Sequence, residues 1–88
     1  EVALSYEPNN HYILDSMGWI HFKLGNLEIA SKFIKKAYLI NKDPEIASHL
    51  GEILWTQGKK DEAREVWKSS LNRHPSNPVL LETTNRFK

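Results

Sequence analysis

Leu14-Asp15-Ser16-Met17-Gly18-Trp19-Ile20-His21-Phe22-Lys23-Leu24-Gly25-Asn26-Leu27-Glu28-Ile29-Ala30 returns in outline 33 residues later as Ala47-Ser48-His49-Leu50-Gly51-Glu52-Ile53-Leu54-Trp55-Thr56-Gln57-Gly58-Lys59-Lys60-Asp61-Glu62-Ala63. Gly18 falls on Gly51, Gly25 on Gly58 and Ala30 on Ala63. In the same register Ile20 falls on Ile53, Phe22 on Trp55, Ile34 on Trp67 and Lys35 on Lys68. Two glycines and an alanine sharing one offset are not expected of unrelated segments. A fixed period of this length is the signature of a stacked-repeat architecture.

Local patterns describe the units. Asn9 and Asn10 follow Pro8 and offer an N-cap. Ile13, Leu14, Met17, Ile20 and Leu24 then recur at helical spacing. Gly25-Asn26 ends that helix, because both residues tolerate the left-handed conformation of a C-cap. A second helix is predicted over Leu27–Ile40, with Ile29, Ala30, Phe33, Ile34, Ala37 and Tyr38 inward. Asp43 as N-cap with Pro44 behind it starts a third, which Gly58 stops after Gln57. A fourth runs from Lys60 to Asn72, with Ala63, Val66, Trp67 and Leu71 inward, and Asn77-Pro78 starts a fifth that reaches Phe87. Short loops between such helices are the rhythm of antiparallel helix pairs. No segment alternates with period two, so no strand is expected.

The bulk numbers limit the functions available. Eighty-eight residues allow one small domain. A compact globule of that size is marginal, whereas stacked units stabilise one another. Twelve basic and eleven acidic side chains leave a net charge of +1, without the basic excess of a nucleic-acid footprint. No cysteine is present, which removes disulfides and thiolate metal sites. No apolar run is long enough to span a bilayer. His11, His21, His49 and His74 show no i,i+4 pairing. His11 and Asp15 are the one pair that helical spacing could place on one face, and structural zinc needs four ligands. His21 is read as filling a packing slot. No Gly-rich phosphate loop and no nucleophile–base motif is present, so neither catalysis nor a cofactor is expected.

The spacing resembles the tetratricopeptide repeat, W-x2-L-G-x2-Y then A-x3-F then P over about 34 residues. One unit reads Leu14-x2-Met17-Gly18-x2-His21, then Ala30-x3-Ile34. The next reads Ala47-x2-Leu50-Gly51-x2-Leu54, then Ala63-x3-Trp67, then Pro75. Neither carries the family's first aromatic, and His21 and Leu54 stand where tyrosine is usual. The resemblance implies an all-α right-handed superhelical solenoid of antiparallel helix pairs with about five helices. Its units would be residues 1–9 (the tail of a preceding repeat), 10–42, 43–76 and 77–88 (a capping helix or the start of a third repeat). Ala3, Leu4 and Pro8 fit the end of that preceding unit, which makes the chain a fragment of a longer array. Bacterial envelope-associated members, some of them lipoprotein adaptors, are similar in Tyr12–Trp19, Asp43–Ala47 and Gly51-Glu52.

The resemblance further implies a protein–protein interaction module, a scaffold or adaptor whose concave groove is lined by the first helix of each pair. The slots carry over as Tyr12, Asp15, Ser16, Trp19, Phe22 and Lys23, then Glu45, Ser48, His49, Glu52, Trp55 and Thr56, then Val79, Glu82, Thr83 and Arg86. Gly18, Ala30, Gly51, Ala63, Trp67 and Pro75 carry over as structural residues. Some members grip a C-terminal carboxylate with Lys, Asn and Arg. Asp15, Trp19 and Glu52 stand in those slots here and would repel it, which favours a ligand with basic and apolar side chains. Periodicity adds an independent reason: Tyr12, Asp15, Trp19 and Phe22 fall within roughly 80° of one another on a helix. An aromatic stripe beside a carboxylate has the composition of a binding hot spot. The competing reading packs those aromatics against a neighbouring helix, with Phe22 and Trp55 partly core and Trp67 fully so.

Three other roles stay open. The repeats could only extend an array, self-associate through an uncovered Ile13 and Ile20 side, or serve an enzyme elsewhere in a longer chain. The lysine-rich second helices, interspersed with Glu28, Asp61, Glu62 and Glu65, read as a solvated face with local ion pairs, with RNA or a membrane surface as the lesser reading.

Overall fold

A computed structural model describes residues 10–87. The expected tail of a preceding repeat, with Ala3, Leu4 and Pro8, lies outside the described residues. Five helices follow one another: α1 His11–Lys23, α2 Leu27–Ile40, α3 Pro44–Thr56, α4 Lys60–Arg73 and α5 Pro78–Arg86. No strand occurs among the described residues.

The helix ends show why each element starts and stops where it does. Asn10 Oδ1 accepts from the backbone amides of Tyr12 (2.9 Å) and Ile13 (3.2 Å). Asp43 Oδ1 accepts from Glu45 N at 2.8 Å, and Asn77 Oδ1 from Leu80 N at 3.0 Å. Each takes up amide donors that the first turn cannot satisfy itself. α1 and α3 end alike. Asn26 N donates to His21 O (2.8 Å) and Gly25 N to Phe22 O (3.0 Å); Lys59 N donates to Leu54 O (2.8 Å) and Gly58 N to Trp55 O (3.0 Å). This double closure needs a left-handed residue, and Gly25 and Gly58 sit at φ 86° and 87°. The tight turn folds α2 back on α1, and α4 back on α3. Between α4 and α5, Asn77 N donates to His74 O across a turn that holds Pro75.

The helices stack in chain order. α1 packs on α2, α2 on α3, α3 on α4, and α5 on both α3 and α4; α1 also touches α3, while α1 and α5 do not meet. That is an open stack of helix pairs and not a closed bundle. Ala30, Ala63 and Ala37 are fully buried at the helix crossings. The glycines there have a specific reason. A Cβ on Gly18 would fall on the Ile34 side chain, 2.6 Å from Cδ1, and 3.1 Å from Ala30 O. A Cβ on Gly51 would fall inside the Trp67 indole, 2.7 Å from Cδ1. Ile34 and Trp67 are buried, and Trp67 Nε1 donates to Ser48 O at 3.4 Å. The bulky side chain of one helix thus occupies the space that the other leaves empty.

α3 carries the centre of the core through Ile46, Ala47, Leu50, Ile53 and Leu54. The expected stripe of α1 is largely uncovered: Leu14 alone of its five residues is buried, Ile13 is half-buried, and Met17, Ile20 and Leu24 are exposed. The reason is position. Among the described residues α1 has neighbours on one flank only, whereas α3 has them on both. Ile29, expected inward on α2, is exposed as well.

Gly51→Ala is expected to lower stability by about 1–3 kcal/mol, because the rigid indole has nowhere to go. Thermal or urea unfolding followed by circular dichroism reads the loss. Ser70 is buried in the slot that Ala37 fills one repeat earlier, and its hydroxyl has no hydrogen-bond partner. Ser70→Ala should therefore leave the melting temperature unchanged or raise it.

Candidate functional site

α1, α3 and α5 present one continuous face, and three side-chain contacts fix their relative positions. Asp15 of α1 accepts a hydrogen bond from His49 Nδ1 of α3 at 2.8 Å, with both side chains about four-fifths covered. Ser48 of α3 and Thr83 of α5 share a buried hydroxyl–hydroxyl bond of 2.6 Å. Glu52 of α3 faces the guanidinium of Arg86 of α5 at 3.6 Å, and the same guanidinium lies 4.0 Å from Glu82.

The aromatics join this framework. Trp19 stacks on the His49 ring, with centroids 4.1 Å apart and planes at 21°, and its other neighbour is Phe22 at 4.9 Å. Lys23 places its ammonium over the Trp19 ring at 5.3 Å. Trp19 and Phe22 are half-buried, while Tyr12 stands 67% exposed and tilted against His11. Ser16 and Glu45 are exposed on the same helices.

Other residues expected in the groove take different positions. Ser48, 3% exposed, and Thr83, 1% exposed, are packing residues whose hydroxyls satisfy each other and cannot reach a ligand. Thr56 donates back to Glu52 O within its own helix. Trp55 leans away from Trp19 and belongs to a cluster with Trp67 (5.8 Å) and Phe87 (5.6 Å), under the cations of Lys60 and Arg64. Val79 and Glu82 lie exposed on α5.

His11 and Asp15 do not act together: His11 Nε2 contacts Asn41 Nδ2 at 3.2 Å, and Asp15 turns to His49. His21 stacks flat on Phe33 at 5.7 Å, in the packing role its slot suggests. The Asp15–His49 pair was not anticipated as a pair. The two residues stand 34 positions apart, one more than the repeat offset, in neighbouring first helices.

Comparison with known proteins agrees with this architecture. A family profile for the tetratricopeptide repeat matches residues 12–44. The chain belongs to the tetratricopeptide repeat family. It is 42% identical over 50 residues to a TPR repeat-containing protein of Pseudomonas aeruginosa, a match covering 57% of this chain and 8% of the relative. It is 35% identical over 68 residues to a TPR repeat-containing protein of Methanocaldococcus jannaschii, covering 77% of this chain and 12% of the relative. Tetratricopeptide repeat protein 7B of Mus musculus is 28% identical over 81 residues, 91% of this chain and 10% of that protein. The chain thus spans about a tenth of the length of these relatives. Tetratricopeptide repeats generally mediate protein–protein interactions and are generally non-catalytic. No helix among the described residues is long and apolar enough to cross a membrane.

Ser48→Ala should cost about 1–3 kcal/mol, since it strands the buried Thr83 hydroxyl, whereas Tyr12→Ala should stay within about 0.5 kcal/mol. Parallel urea denaturation of the two variants checks both values.

Proposed function

We propose that the face of α1, α3 and α5 is a docking groove for a segment of a partner protein, and that the chain acts there as a binding module and not as a catalyst. The observation that carries this reading is the pairing of exposed aromatic surface with a fixed frame. Tyr12 is largely exposed and Trp19 is partly so, while contacts from Asp15 to His49 and from Glu52 to Arg86 set the helices behind them. A site whose backbone and anchors are already in place spends little ordering itself on binding.

The charge of the face indicates the chemistry of the guest. Asp15, Glu45, Glu52 and Glu82 stand against Lys23 and Arg86. A partner segment that combines apolar with basic side chains matches the aromatics and this acidic excess. A bare C-terminal carboxylate does not. A second reading, in which the helices mainly extend a longer stack, is favoured by Met17, Ile20 and Leu24 at the surface of α1.

Peptides selected on the wild-type chain from a random library provide the test, with titration calorimetry on variants. Trp19→Ala and Tyr12→Ala should each weaken binding by about tenfold or more, as expected of central aromatic anchors. Lys68→Ala, on an outer helix, should leave binding unchanged. Selected peptides that bind both aromatic variants as tightly as wild type contradict the groove assignment.

A further inference from the structure

His49 is the histidine held inside the face of α1, α3 and α5. Its Nδ1 donates to Asp15 Oδ1 at 2.8 Å, and the two side chains are 21% and 18% exposed. Trp19 covers one face of the imidazole, with ring centroids 4.1 Å apart. The other histidines are placed differently. His11 lies against Tyr12 and Asn41, His21 is stacked on Phe33, and His74 caps the end of α4.

The charges about this ring are mostly negative. Asp15 of α1 touches it directly. On α3 itself, Glu45 and Glu52 stand one helical turn before and after it. Arg86 of α5 is drawn to Glu52 at 3.6 Å, and Lys23 of α1 lies over the Trp19 ring at 5.3 Å. Among the described residues no carboxylate of α2 or α4 pairs with His49. A neutral imidazole that donates one hydrogen bond leaves the negative charge of its acceptor standing, whereas an imidazolium cancels it. Among ordinary side chains imidazole is the one that changes charge between about pH 5 and 8. Water is largely kept from the Asp15–His49 pair, so the difference of one charge is felt more strongly at the surface beside it than in open solvent.

We propose that His49 sets the charge of the docking groove, so that a basic guest binds best while this imidazole is neutral and loses affinity on acidification. The inference rests on the groove reading above and adds its regulation. Linkage runs in both directions: a guest that prefers the neutral ring releases a proton when it binds, and makes His49 harder to protonate while bound. The frame of the groove is kept in both states, because Nδ1 donates to Asp15 from the neutral and from the charged ring alike.

The probe is a peptide selected on the wild-type chain that carries at least one lysine or arginine and no histidine. Calorimetric titration between about pH 8 and about pH 5.5 keeps ordinary carboxylates ionised. Over that range the dissociation constant is expected to rise at least about threefold. Buffers of different ionisation enthalpy should show a proton released on binding. In proton NMR of the wild-type chain, the His49 ring should titrate at a lower pH with the peptide bound than without it. His49→Gln keeps an amide to donate to Asp15 and carries no charge, so the pH dependence should vanish; circular dichroism verifies its fold. His11→Gln should retain the wild-type dependence. Affinity that does not change with pH overturns the proposal. So does a dependence that His49→Gln retains, or a His49 titration that the peptide leaves in place. Tyr12→Ala and Trp19→Ala at the alkaline end keep the two readings apart. If they weaken binding and the pH effects are missing, the role of His49 alone falls; if they bind as wild type does, the groove assignment falls and this inference with it.

Discussion

A helix pair in this chain closes only because one helix gives up a side chain where the other supplies a large one. Gly18 lies under Ile34, and Gly51 under Trp67, at equivalent points of the two repeats. Buried alanines on the facing helices, Ala30 and Ala63, keep the backbones close. Interiors are packed to the density of organic crystals, so no slack exists to absorb a methyl group at such a crossing. The angle and spacing of each pair follow from that fit. So does the placement of the next pair, because α2 packs on both α1 and α3.

From this nesting comes a division of labour between two surfaces. The inner helices are locked to one another by polar contacts at their flanks, Asp15 with His49 and Glu52 with Arg86, while apolar packing lies beneath. Ion pairs that water still reaches, such as Glu52 with the half-exposed Arg86, contribute little to stability, typically ~0–1 kcal/mol, and Asp15 with His49 adds one largely covered hydrogen bond. Their effect is on register, and the stack of Trp19 on His49 ties an aromatic surface to the same frame. The outer helices carry charge with little internal compensation, and Glu65 of α4 stands where α2 has Lys32.

The fold was largely legible because its determinants are local and repeated. Glycine pairs at the crossings and the helix ends, asparagine and aspartate caps, and prolines at the starts of α3 and α5 are all short-range signals with a mechanism. The face was less so. Ser48 looked like a groove residue by its slot, yet it lies where α5 crosses α3, and only the position of Thr83 reveals the bond that buries it. Trp55 fell on a groove slot and packs partly into the core against Trp67 and Phe87, because the end of α3 is covered by α4 and α5. Met17, Ile20 and Leu24 have the periodicity of core residues, but periodicity reports which face is apolar and not whether a neighbour covers it. The expected ion pairs of the outer helices were a property of composition, and among the described residues only Arg64 with Asp61 formed.

The central claim is a coupling between two named side chains, and a double-mutant cycle reads it directly. Gly51→Ala is measured by urea unfolding in the wild-type background and again beside Trp67→Leu, which withdraws the indole from the space a Cβ would need. If nesting governs the crossing, the cost of Gly51→Ala drops sharply in the Trp67→Leu background, with a coupling energy of about 1 kcal/mol or more. Strict additivity of the two substitutions would mean that the glycine and the indole do not compete for one space, and the account built on their fit would be wrong.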